Sequence, residues 1–96
     1  MAVLYISEHN AGASAGLPLV RWPPLATQTV GIAGSSQASQ PFGGGSRIIR
    51  VHCDSVCSIF IAPNSTATTL HPRLAASQTE YIEVNPGDQL AVIANT

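Results

Sequence analysis

Arg47-Ile48-Ile49-Arg50-Val51-His52-Cys53-Asp54-Ser55-Val56-Cys57-Ser58-Ile59-Phe60-Ile61-Ala62 is the stretch that decides the fold class. Two blocks rich in β-branched and aromatic residues meet at Asp54-Ser55, and residues 47–53 alternate as a strand with one face on a core would. Read locally, the stretch is a β-hairpin. It also holds both cysteines, one of the three histidines and two of the four arginines, so a chemical site would fall here first.

The turn leaves the cysteine pairing open. A three-residue loop sets Cys53 opposite Cys57, where the two could bond; a two-residue turn at Asp54-Ser55 sets Cys53 against Val56 and sends the thiols to opposite faces. Synthesis in a reducing compartment favours two buried thiols as part of a structural hairpin. The same register decides which of Arg47 and Arg50 shares the outer face with Ile48 and His52. An arginine there could pair bidentately with a carboxylate of a neighbouring chain.

Working outward, residues 2–6 form a short strand that ends at the polar Ser7-Glu8-His9-Asn10. The segment Leu17-Pro18-Leu19-Val20-Arg21-Trp22-Pro23-Pro24-Leu25 carries three prolines, which fix φ and remove ladder donors, so it is expected to be extended and outside any central strand. It reads as an arm whose exposed apolar side chains dock on a neighbour, with Trp22 as anchor; the alternative is a connector whose Trp22 folds back on its own domain. Residues 27–33 form the next strand, and Gly34 to Ser46 reads as a flexible connection. Its three consecutive glycines are not followed by Lys-Ser/Thr, which excludes a P-loop. Residues 68–76 read as an extended segment with Pro72 at an edge, or as the entry to a short turn. Thr79 to Val84 alternates, Asn85-Pro86-Gly87-Asp88 is a turn, and Gln89 to Ala94 is the closing strand. Short strands, close turns and no helical period predict an all-β fold, a small antiparallel sandwich or jelly-roll-like barrel. The expected division is an N-terminal strand and proline-rich arm over 1–25 and a sandwich over 26–96.

Only 9% of the 96 residues are charged, none is lysine, and the net charge is −1. Soluble domains carry roughly 25% charged residues, so this surface suits a chain packed against other subunits. Nucleic-acid binding is disfavoured for want of a basic face. No apolar run approaches the ~18 residues of a membrane span, and the N-terminus has no basic leader, so the chain is expected to be made in the cytoplasm without export.

Chemistry finds little support. His52, Cys53, Cys57 and His71 make one cysteine pair with adjacent His52 pointing away from Cys53, not two zinc knuckles. Cys53 or Ser55 with His52, His71 and Asp54 lacks a nucleophile-elbow motif, and Glu80 and Glu83 fall on opposite faces of one strand. His9 and His71 read as surface or turn residues. No catalytic residue, cofactor or metal ligand is expected.

The opening Met-Ala-Val-Leu-Tyr-Ile-Ser-Glu, the Arg47–Ala62 run and the ending Thr79–Ile93 together resemble short structural proteins of tailed bacteriophages, of the kind that decorate or cement capsids. The resemblance implies an all-β, often jelly-roll-like subunit on the outer capsid, bound as a homodimer or homotrimer at two-fold or three-fold positions. It implies the major capsid protein as partner, with the head stabilised against internal DNA pressure. The expected contact residues are Leu19, Arg21, Trp22, Pro23, Pro24 and Leu25. The alternative is a receptor- or carbohydrate-binding module of the phage surface or tail, which would need exposed aromatic platforms drawn from Tyr5, Trp22, Phe42, Phe60 and Tyr81.

Overall fold

A computed structural model describes residues 2–10 and 22–95. The strands are β1 (Val3–His9), β2 (Ala26–Gly31), β3 (Gln37–Ala38), β4 (Ile48–Cys53), β5 (Cys57–Ala62), β6 (Arg73–Leu74), β7 (Thr79–Glu83) and β8 (Gln89–Ala94). They form two four-stranded antiparallel sheets, a front sheet ordered β2-β1-β4-β7 and a back sheet ordered β3-β8-β5-β6. The predicted all-β sandwich is what the chain forms.

The connectivity is that of a jelly roll with one displacement. If β2 to β8 are taken as the first seven strands of an eight-stranded jelly roll, β1 stands in the place of the eighth, between β2 and β4. The closing strand therefore comes first in the chain. Consistent with this, the two ends of the described chain meet at Ile32-Ala33. The Ile32 N–H donates to the Ala2 carbonyl (3.0 Å), and the Ala94 N–H donates to the Ala33 carbonyl (2.8 Å).

Strand alternation builds the core. Leu4 and Ile6 of β1 and Ile49 and Val51 of β4 point inward from the front sheet, against Ile59 of β5 and Leu90 and Val92 of β8. Residues between them face outward, as a period of two requires.

Three expectations are corrected. The Arg47–Ala62 run is not a hairpin, because β4 pairs with β1 and β7 while β5 pairs with β6 and β8. Asp54-Ser55-Val56 is an arch that carries the chain from one sheet to the other. The arch lets both blocks bury their inward faces, with Cys53 and Cys57 fully buried from opposite sheets. It is held by Asp54 N–H to the Val3 carbonyl (3.1 Å) and by Ser77 N–H to the Cys53 carbonyl (2.8 Å).

The second correction concerns β1, which runs on to His9 inside the front sheet, so the strand within 1–25 belongs to the sandwich. Its polar end is tolerated because partners await Glu8 and His9. Third, the Gly34–Ser46 segment is not a loose connection. It contains β3, and Phe42, 3% exposed, exchanges backbone hydrogen bonds with the 85–88 turn: Phe42 N–H to Asp88 O and Gly87 N–H to Phe42 O, 2.8 and 2.9 Å. That turn forms as expected, with Gly87 at φ +90° and the Asp88 carboxylate accepting from Asn85 N–H (3.1 Å). The 68–76 segment combines a turn with the two-residue β6 at the sheet edge, beside Pro72.

Candidate functional site

The outer side of the front sheet is a polar and aromatic face built by cross-strand neighbours. One row runs Thr29, Tyr5, His52, Thr79 from β2 to β7, and the next runs Thr27, Ser7, Arg50, Tyr81. Both rows lie outward because Leu4, Ile6, Ile49 and Val51 take the core side of the same strands. The register thus places Arg50, and not Arg47, on this face with Ile48 and His52. Arg47 sits just before β4 and donates to the carbonyls of Gly44 and Ser46.

Trp22 and Pro24, from the segment leading into β2, wall this face into an open cleft of about 810 Å³ whose other side chains include Tyr5, Thr27, Thr29 and Arg50. Trp22 is 68% exposed, yet its ring is held against His9 (centroids 5.5 Å apart, tilted by 56°). His9 is fully buried at the end of β1 and hydrogen-bonded through Nε2 to Ser7 Oγ (2.8 Å), so it is a post for the tryptophan and not the surface or turn residue expected. His52 is tied by Nδ1 to Thr79 Oγ1 (2.7 Å).

Arg50 makes no hydrogen bond or ion pair among the described residues, and neither do the hydroxyls of Tyr5, Thr27 and Thr29. This contrasts with the interior, where every buried side-chain nitrogen and oxygen described has a partner.

Glu8 lies at one end of the sandwich interior and shows how a buried carboxylate is satisfied here. It accepts from Ser46 Oγ (2.7 Å), from Gly43 N–H (2.9 Å) and from Gln28 Nε2 (3.4 Å). These donors come from the glycine-rich segment and β2, which accounts for a carboxylate at 4% exposure without a cation.

At the opposite end the two thiols meet across the core. Both cysteines are free, and Cys53 Sγ donates to the Ala75 carbonyl (3.0 Å). Burial, together with the neighbouring Cys53, pushes the Cys57 thiol up to about 12. A thiol held protonated is a poor nucleophile and a poor metal ligand. His71 lies on the back sheet side, stacked on Phe60 at 4.3 Å, with its Nδ1 accepting from Thr68 N–H. The structure therefore separates His71 from the cysteines, and the described residues hold no group of three or more histidine, cysteine or carboxylate side chains placed to bind a metal.

Of the six expected contact residues, Leu19 and Arg21 lie outside the described residues. Trp22 and Pro24 line the cleft, while Pro23 and Leu25 are exposed beside it. Sequence reasoning singled out Trp22, and named Tyr5 among the possible aromatic platforms, but missed Ser7, Thr27 and Thr29 as their companions. Their alternation with core residues was visible; the pairing of β1 with both β2 and β4 was not. No family model, curated protein or solved structure matches the chain.

Proposed function

We propose that the chain is a virion structural protein of the cement class, which binds the outer capsid and clamps neighbouring major capsid subunits. The observation that carries this reading is the placement of exposed apolar side chains on both sides of a nearly uncharged sandwich. Leu25 and Pro23 project beside the front sheet, whereas Leu70 (94% exposed) and Phe60 project on the back sheet side. A clamp needs two such surfaces, and a small domain with this little charge gains stability from neighbours that cover them. The jelly-roll order of strands and the resemblance of the opening, the Arg47–Ala62 run and the ending to phage structural proteins support the same reading. In this role the subunit acts as a homodimer or homotrimer across capsomer seams and performs no chemistry.

The test is addition of purified protein to particles that lack it. Saturable, stoichiometric binding and a higher bursting temperature are expected. Leu25→Ser and Leu70→Ser should each weaken binding by roughly tenfold, the effect of about 1.4 kcal/mol of lost contact, while leaving the melting temperature of the free protein nearly unchanged. Particles that neither bind the protein nor gain stability would refute the clamp.

A further inference from the structure

The front-sheet cleft has a polar and aromatic composition that the clamp contacts at Leu25, Pro23, Leu70 and Phe60 do not account for. Its outward apolar surface is made of rings, Trp22, Tyr5 and Pro24, rather than the aliphatic pockets that seat peptide side chains. The hydroxyl-bearing Thr27 and Thr29 of β2 and Tyr5 of β1 line the same cleft. Sugars present an apolar C–H face and a rim of hydroxyls, and they are held by a ring beneath that face with donors and acceptors around the rim.

The charge narrows the ligand further. Among the described residues Arg50 is the single cation of the cleft, no carboxylate lines it, and the guanidinium is unpaired. A planar fork of donors left open beside stacking rings fits a carboxylate, which it can hold bidentately. The tryptophan is set in place by buried His9, which is itself fixed by Ser7, so the stacking wall has a built support.

We infer that the cleft bounded by Trp22, Tyr5 and Arg50 binds a carboxylate-bearing saccharide, the sugar face stacking on the rings and the acid group paired with Arg50. On a capsid surface this adds a second activity, attachment to acidic glycans, to the clamp. The inference stands apart from the clamp reading, because binding is measured on the free protein without particles.

Trp22 is the only tryptophan in the chain, so its emission reports the cleft directly. Purified protein is titrated with uronic-acid and sialic-acid oligosaccharides, their neutral counterparts, and tetraglutamate as a peptide carboxylate. At least one acidic saccharide is expected to shift the Trp22 emission saturably and to bind roughly tenfold more tightly than its neutral counterpart. Arg50→Gln should remove that preference and Arg50→Lys should keep part of it. Trp22→Ala, followed by calorimetry, should weaken binding roughly tenfold. His71→Ala, on the back sheet side, should change nothing, and thermal melts establish that each variant folds. The inference is overturned if no acidic saccharide binds or if neutral ones bind equally. Binding of tetraglutamate alone also overturns it, and would assign the cleft to an acidic peptide.

Discussion

Among single residues, Cys57 has the most distinctive chemistry. Its thiol stays protonated in the folded chain up to about pH 12, because burial and the facing Cys53 disfavour the thiolate, whereas the unfolded chain ionises from about 9.0. The folded state then binds one more proton than the unfolded state between these values, so stability falls as pH rises through that window. The contribution is complete below pH 9 and lost on approach to pH 12. Chemical denaturation in steps from pH 8 to 12 should show this decline, and Cys57→Ala should flatten it. At neutral pH the same variant should lose about 1–2 kcal/mol for the vacated volume. An alkaline slope identical in both proteins would refute the assignment.

At the scale of elements, the packing of the glycine-rich segment depends on Glu8 as much as on Phe42. Glu8→Ala leaves the Gly43 N–H and the Ser46 hydroxyl without their acceptor. A loss of about 2–3 kcal/mol is expected. Hydrogen exchange should rise at residues 43–46 and not at β5, which would distinguish a released segment from a general loosening.

The strands themselves were legible, since residues 48–53, 79–84 and 89–94 alternate or run apolar as their burial demands. What was not legible was which sheet each strand joins. Asp54-Ser55-Val56 is short enough for a hairpin and for an arch, and a three-residue hairpin loop would put Cys53 and Cys57 on one buried face just as the arch buries both. The choice is made by partners distant in sequence, β1 and β7 on one side and β8 on the other. Two-residue strands such as β3 and β6 leave no periodicity to read. Glu8 and His9 looked like a strand end because their satisfying groups, Ser46, Gly43 and the Trp22 ring, are far along the chain. For the cleft, the sequence offered the aromatic anchor, and tertiary pairing supplied its neighbours.

For the whole molecule, the position of β1 makes a topological claim that can be tested by rewiring. A permuted chain that starts at β2, joins Asn95 to Ala2 by a short glycine-serine linker and ends after β1 would restore the ordinary strand order of a jelly roll. Because Ala2 and Ala94 are both bonded to the Ile32-Ala33 segment, the new connection spans little distance. The permutant is expected to fold with a circular dichroism spectrum like that of the parent and a stability within about 1–2 kcal/mol of it, the scale of a changed loop closure. A chain starting at β2 with β1 omitted should fail to fold, since the gap would leave β2 without a partner, strip one side of β4 and remove Leu4 and Ile6 from the core.

The arch also has a mechanical meaning. A hairpin ties two neighbours of one sheet, but Asp54–Val56 ties the middle of the front sheet to the middle of the back one. Any sliding of one sheet over the other must strain three residues whose flanks, β4 and β5, are each zipped to strands on both sides. Force applied at one outer face is thus passed to the other along the backbone as well as through side-chain packing, and the sandwich resists shear as a stitched laminate does.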